Sequence, residues 1–520
     1  MGGGTDWPTR AGVNDVNKIG KLSGWRVILL AEGWAGRRAG RIHSTMPVEV
    51  PLLLLATRIC SCVGRSAADA QIGPTYLIPM KTSQICLGVA SLLAFAASAF
   101  AATVPTKPNI VFILADDLGI GNVGCYGADQ TVKTPNIDAL ARGGTRYTNA
   151  YTVPLCGPSR AAILTGRYGF RTGASNQDAT GEMKSSVETF LPKILQPAGY
   201  ATSMIGKWGQ LPLGPAEFGF DDHLKFQGSG TYWNTQDKGK QYLVNGKSVS
   251  LPDKVYLPDV MHRHAVDFMT RNREKPFYLY YSLSHIHGEI LPTPDSVPDS
   301  KDHYADNIAY MDKLVGQLVA ELDRLKLREN TLVVFFGDNG TGGGYADRST
   351  VNGRRLSGSK GDMLEGGALV PMIVNWPGKT PAGKISADMT DSTDFFATFA
   401  ELAGATLPAK TVIDGRSMAA QFRGEKGQPR DWAFIQLARS WYVRTAGWKL
   451  NQSGELFDMS EAPSGEKLVA PGTESPAGRA ARQRLSAALA QLNPAGGIPD
   501  TGDPSGRHAS NVNKKEKKKK

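Results

Sequence analysis

The apolar positions of this 520-residue chain fall into short unbroken runs separated by amphipathic stretches. Residues 109–115 (NIVFILA), 200–206 (YATSMIG), 277–283 (FYLYYSL), 331–337 (TLVVFFG) and 370–375 (VPMIVN) lack the alternation of a half-exposed strand. Runs of this kind suit strands buried on both faces of a parallel sheet. Helical stretches lie near 134–144, 187–196, 256–270, 304–326 and 392–402. In the first, Thr134 stands at the N-cap position, Pro135 at the first helical position, and glycines at the stop. The alternation predicts an α/β fold, a large doubly wound and mostly parallel sheet flanked by helices. Functional residues then belong at the carboxyl ends of its strands. After about residue 425 the runs shorten to WAFIQLA, SWYVRTAGWKL and ELFDM. These predict a smaller C-terminal antiparallel sheet, closed by a helix over 475–491. The catalytic body is thus expected over 102–424 and a small subdomain over 425–495.

The two ends of the chain differ from this body. At Met80 a secretory signal begins: Lys81 is its basic region, 85–97 (ICLGVASLLAFAA) its apolar region, and Ala99-Phe100-Ala101 its cleavage site. Its position eighty residues in suggests that translation starts at Met80 and that 1–79 is an upstream misreading. The run PLLLLA at 51–56 is too short to span a bilayer. The mature protein is then exported, to the periplasm or beyond, with no transmembrane segment. At the other end, 496–520 is rich in Gly, Pro, Asn and Ser and finishes in KKEKKKK, a disordered tail by composition.

Charge changes little in this picture. The net charge is +11. The tail has six lysines against one glutamate, 1–79 has nine basic against five acidic groups, and Lys81 adds one more. Residues 102–513 are therefore close to neutral, at about +1, which removes any case for nucleic acid as a partner. Cys60, Cys62 and Cys86 precede the cleavage site, so Cys125 and Cys156 are the cysteines of the mature chain. No disulfide framework is expected, and about 400 residues can bury a sufficient core.

The candidate chemistry centres on residues 154–167, PLCGPSRAAILTGR. Pro158 favours a helix starting beside Cys156, where free N–H groups and the macrodipole attract negative charge. Arg160 follows at i+4 on the same face. A nucleophile, an anion-binding helix end and a fixed cation converge there, as a tetrahedral oxyanion requires. Asp116 and Asp117 end the run at 109–115, and Asp338 with Asn339 ends that at 331–337. Three carboxylates and an amide form an all-oxygen set, which selects a hard cation such as calcium or magnesium. The Gly-rich run after Asn339 is not a dinucleotide fingerprint, and no zinc spacing is present.

Cys156, Pro158, Ser159, Arg160, Leu164, Thr165 and Gly166 resemble the signature of the type I sulfatases, arylsulfatase-like enzymes of the alkaline phosphatase superfamily. Further motifs follow in that family's order over about 107–460: Gly-Lys-Trp at Lys207, a histidine after a strand at His287 (with His285 the less favoured register), and Gly-x-Lys-Gly-x-x-x-Glu-Gly-Gly at Lys360. The resemblance implies that a maturing enzyme oxidises Cys156 to formylglycine, whose hydrate is the nucleophile. It also implies one calcium held by Asp116, Asp117, Asp338 and Asn339 and facing residue 156. Arg160 would stabilise the nucleophile; Lys207, Lys360 and His287 would bind sulfate, with Lys360 or His287 steadying the leaving alcohol. One departure stands out: the family's histidine after Gly-Lys-Trp is Gly209 here, followed by Gln210. The expected reaction is hydrolysis of an aryl sulfate or sulfated saccharide. Loop 221–256, with Tyr232, Trp233 and several amides, is the candidate sugar platform and Trp233 its substrate-binding residue. A phosphonate or phosphate ester hydrolase of the same superfamily is the alternative, as is a non-catalytic binder of sulfated glycans should Cys156 stay unconverted.

Overall fold

A computed structural model describes residues 107–226, 232–234 and 241–502. The expected upstream segment, signal peptide and residues 503–520 of the expected tail lie outside the described residues; residues 496–502, counted in that tail, are described and hydrogen-bond to the body. In chain order the body runs β1 (Asn109–Ala115), α1 (Pro135–Arg142), β2 (Thr145–Tyr151), α2 (Cys156–Thr165), β3 (Ala201–Lys207), β4 (Asp222–Phe226), β5 (Gln241–Val244) and β6 (Lys247–Ser250). It continues with α3 (Leu257–Arg271), β7 (Phe277–Leu283), α4 (His303–Arg324), β8 (Thr331–Gly337), a hairpin of β9 (Thr350–Val351) and β10 (Arg354–Arg355), β11 (Met372–Asn375), β12 (Lys384–Asp391) and α5 (Asp394–Ala403).

Among the described residues, ten strands form one sheet in the order β12-β2-β11-β8-β1-β7-β3-β4-β5-β6. The middle block β8-β1-β7-β3-β4 is parallel. The sheet is mixed rather than purely parallel: β11 runs antiparallel to both its neighbours, and β5 and β6 add an antiparallel hairpin at the far edge. Part of the expected loop 221–256 is therefore strand. Alternate residues of β1 enter opposite cores. Val111 and Ile113 join the layer containing α1, α3 and α4, while Ile110, Phe112 and Leu114 join the one containing α2 and α5. This two-sided burial is why β1 reads as an unbroken apolar run.

Two local expectations change. The stretch near 187–196 contains only a five-residue helix, Leu191–Leu195. Thr134 occupies the N-cap position but leaves the helix amides alone; its hydroxyl accepts from Gly124 N at 2.8 Å and donates to Asp138 at 3.1 Å. The hydroxyl ties the preceding turn to the helix instead.

The C-terminal sheet comprises β13 (Ala433–Leu437), β14 (Ser440–Arg444), β15 (Trp448–Asn451), β16 (Leu456–Asp458) and β17 (Lys467–Leu468), antiparallel throughout, with α6 (Pro476–Leu492) against it. Leu485 and Leu492 of α6 meet Val443 and Leu450 in a third core, which also takes Tyr168 and Phe170. After α6 the chain returns to the main body: Ile498 N donates to Phe170 O at 2.7 Å, and Asp500 accepts from Ser175 Oγ and Asn176 Nδ2 at 2.5 and 2.6 Å.

The close approach of β3 to β7 depends on Gly206, whose φ is +110° and whose missing side chain leaves room for the Ser282 carbonyl. Gly199, at φ +91°, faces open space. Both positions should pay for a Cβ in backbone strain, roughly 1–3 kcal/mol, but only Gly206→Ala should add a steric clash. Gly206→Ala should melt at least about 3 °C below Gly199→Ala in a thermal shift assay. Equal melting temperatures would show that β7 can move away without cost.

Candidate functional site

Four adjacent parallel strands deliver the chemistry. Asp116 follows β1, Lys207 ends β3, His285 and His287 follow β7, and Asp338 follows β8. Since β8, β1, β7 and β3 are neighbours running the same way, these residues gather at one edge. The backbone is held at the exits: Asp116 N donates to Leu283 O at 2.8 Å and Asp338 N to Ala115 O at 2.9 Å. At Asp117 the strand breaks, with φ at +61°. That turn brings its carboxylate to the same side as Asp116 instead of the opposite face.

Carboxylate oxygens of Asp116, Asp117 and Asp338 all lie within 4.8 Å of one another. Asn339 donates from Nδ2 to Asp117 Oδ1 at 2.9 Å, leaving its Oδ1 buried without a donor. Neither oxygen of Asp116 receives a well-directed hydrogen bond, although Lys207 Nζ stands 2.5 Å from Oδ2. Buried oxygens normally find donors. Three unmatched ones converging from two strands, beside two more carboxylates, fit a hard divalent cation.

The cations form the other half of the site. Arg160, fully buried on α2, donates from Nε and Nη2 to Asp338 Oδ2 at 3.1 and 2.8 Å, and from Nη1 to Lys207 O and Ser282 Oγ at 2.7 and 2.6 Å. It therefore acts on the site through Asp338 and the end of β3, rather than by a direct contact with residue 156. Lys360 Nζ pairs with Asp117 Oδ1 at 2.6 Å. Its loop is propped by the C-terminal sheet: Arg444 pairs with Glu365, and Lys449 Nζ donates to Met363 O at 2.9 Å. Burial opposes charge on Lys360, but Asp117 and the neighbouring anions hold its pKa above the ordinary lysine value. Burial likewise opposes ionisation of Asp116; His287, Lys207, Arg160 and Lys360 outweigh it and keep the carboxyl well below the usual range. For Asp338, burial and the Asp116 charge together push the pKa up. Two acids so close ionise together only when more positive charge arrives.

Cys156 is the first residue of α2, 2% exposed, with Lys207 Nζ 3.6 Å from Sγ. Asp116, Cys156 and His287 offer atoms within 4.8 Å of one another. Burial alone would raise the thiol pKa, but Lys207, Lys360 and a hydrogen bond from His287 bring it down to about 5. Position 156 is therefore an electropositive spot that stabilises a negative atom. His285 is separate: buried among Tyr232, Tyr256 and Tyr310, it has no hydrogen-bond partner on either ring nitrogen, and burial lowers its pKa to about 3. Trp233 is half-buried, its ring tilted against Tyr256 and its Nε1 donating to Pro292 O at 2.7 Å.

The structure thus brings together nine of the ten candidate site residues and sets Trp233 apart, against Tyr256. Sequence reasoning missed Gln177. Its Nε2 lies 3.3 Å from Cys156 Sγ, its Oε1 accepts from Gly157 N at 3.0 Å, and it donates to Gln210. Gln210 is thereby one residue removed from the sulfur. Asn176 caps the short helix that Gln177 opens, and no sequence motif joins that helix to Cys156.

With this geometry, comparison with known proteins becomes specific. The sulfatase family matches residues 108–405. Steryl-sulfatase of Mus musculus is 30% identical over 487 aligned residues, covering 74% of this chain and 77% of the relative. N-acetylgalactosamine-6-sulfatase of Canis lupus familiaris is 33% identical, covering 62% and 67%. Among solved structures, Ps i-CgsB superposes with a TM-score of 0.66 at 29% identity, covering 79% of this chain and 97% of that one; it has also been solved with k-i-k-neocarrahexaose. A Pseudoalteromonas sp. sulfatase, PsFucS1, gives 0.63 at 26%, covering 81% and 96%.

The unmatched oxygens generate a test that needs no substrate. Chelation should lower the melting temperature, and calcium or magnesium should restore it by binding the folded state, with a gain of about 2.7 kcal/mol at a hundredfold excess over Kd. Asp338→Ala should lose most of that metal-dependent rise. A protein verified metal-free that melts unchanged, with or without added cation, would rule out the site.

Proposed function

Since this chain belongs to the sulfatase family, whose members hydrolyse sulfuric esters, we propose that it does so through formylglycine made from Cys156, with calcium bound by Asp116, Asp117, Asp338 and Asn339. The observation that carries this reading is the position of Cys156: a helix-start thiol 3.6 Å from a lysine, beside three carboxylates and an amide with unmatched oxygens on Asp116 and Asn339. When formed, the hydrated aldehyde supplies a hydroxyl to attack sulfur and a second one whose proton loss releases sulfate, so no water has to cleave a stable intermediate. When bound, calcium supplies positive charge to one sulfate oxygen and to the nucleophile.

The chain's own groups do the rest. Lys207 and Lys360 pair with Asp116 and Asp117 respectively. Three permanent cations, Arg160, Lys207 and Lys360, balance the three carboxylates, so a divalent cation would leave the site with a net double positive charge for an anionic ester. Lys207, Lys360 and His287 hold the remaining sulfate oxygens, and an ammonium or imidazolium among the latter two donates to the leaving oxygen. Arg160 keeps Asp338 and the end of β3 in register.

For substrate, a sulfated saccharide is favoured. The structural relative Ps i-CgsB has been solved with k-i-k-neocarrahexaose, and the half-buried Trp233, backed by the buried Tyr256, offers an aromatic face. Maturation calls for a formylglycine-generating partner. Export rests on the signal at 80–101.

Two measurements test the chemistry. The peptide spanning 154–160 should be lighter than the thiol form by about 18 Da, the change expected when a thiol becomes an aldehyde, and Cys156→Ala should abolish turnover of 4-nitrophenyl sulfate. An unshifted peptide from an active enzyme would overturn the nucleophile. Faster turnover of an aryl phosphonate than of the aryl sulfate would move the assignment to a phosphonate ester hydrolase.

A further inference from the structure

Position 209 cannot carry a side chain without disturbing the centre of the site. Gly209 has φ at +84°, and a Cβ there would lie 3.2 Å from Arg160 Cδ. Neither Gly209 nor Gln210 can supply a base to residue 156. What does reach it is Gln177, and its amide orientation is fixed by its surroundings. The Gly157 N–H can only donate, so the oxygen it meets at 3.0 Å must be Oε1. Nε2 then faces Cys156 Sγ at 3.3 Å and the Gln210 oxygen; the alternative thiol contact to Oε1 is longer, at 3.7 Å. Both N–H groups are thereby committed, one to Gln210 and one to the reacting position.

Support for that amide comes from far along the chain. Gln177 opens the helix Gln177–Glu182, whose cap is Asn176, accepting from Ala179 N at 2.8 Å. Asn176 is itself gripped by Asp500, which also takes the Ser175 hydroxyl. The carbonyl of Ser175 receives Ala438 N at 2.7 Å. A residue held this firmly on both sides presents its remaining hydrogen in one direction.

We propose that Gln177 is a catalytic residue of this site: its Nε2–H donates to the oxygen that takes the place of Sγ and stabilises negative charge there, with Gln210 and Asp500 as its positioning residues. The proposal rests on the sulfatase reading. A carboxamide neither takes up nor gives up a proton at neutral pH, so Gln177 serves as an oxyanion donor, and no bond to it is made or broken.

Gln177→Glu is the informative substitution. A glutamate keeps an oxygen for Gly157 N but replaces the donor facing residue 156 by an anion. Wild-type turnover of 4-nitrophenyl sulfate, measured first, decides the functional reading by itself. Gln177→Ala and Gln177→Glu should then each lower kcat by about 100-fold, the loss typical of a missing oxyanion donor, with KM within about twofold, equal aldehyde content and little change in melting temperature. Gln210→Ala should cost less, about tenfold. A kcat within threefold of wild type in both Gln177 variants, at equal aldehyde content, overturns the proposal. A second arm needs no turnover: in calcium-containing protein made without conversion, iodoacetamide should alkylate Cys156 at least tenfold more slowly in Gln177→Glu than in wild type at one fixed pH, with Cys125 as the internal reference. Equal Cys156 rates would show that the amide is not directed at the reacting atom.

Discussion

Asp116, Asp117 and Asp338 meet at the buried ends of two neighbouring strands, where like charges cannot coexist without compensation. Almost everything else at this edge of the sheet answers that demand. Arg160 reaches in from α2 to take Asp338, Lys207 from β3 to take Asp116, and Lys360 from a loop braced by the C-terminal sheet to take Asp117. Each carboxylate thus has its cation, yet oxygens on Asp116 and Asn339 remain without hydrogen-bond donors. A pocket whose acids are already matched would, on taking a divalent cation at those oxygens, carry the net positive charge that suits an anionic ester.

Much of this was legible along the chain because the central strands are buried on both faces and end in the polar residues that matter. The runs at 109–115, 277–283 and 331–337 coincide with β1, β7 and β8, and the candidate acids and histidines stand at their carboxyl ends. The strands that escaped notice are of another kind. β2, TRYTNAY, buries only some of its residues and mixes Arg, Thr and Asn among its aromatics, and β12, at the sheet edge, exposes Lys384, Ile385 and Ala387. A half-wet strand carries no apolar run to find. β11 had the expected run but the opposite direction, since strand direction depends on connections that composition does not record.

The site divides the same way. Residues in contiguous motifs or at strand ends were readable, whereas Gln177 was not: it meets Cys156 only because a short helix folds back over the start of α2. Gln210 shows the reverse. Its place in the chain suggested contact with the nucleophile, and the structure interposes Gln177. Adjacency in a motif set the neighbourhood, and tertiary packing chose which amide touches the sulfur.

The return of residues 498–502 to the loop carrying Ser175 and Asn176 has a consequence for synthesis on the ribosome. The helix bearing Cys156 is made in the first third of the chain, yet its strand neighbours β7 and β8 emerge more than a hundred residues later, and Asp500 later still. Throughout that interval Cys156 has no finished pocket to bury it. Any enzyme that must modify this side chain finds it most open before β7 and β8 have docked, and the C-terminal segment fixes the Asn176 cap last.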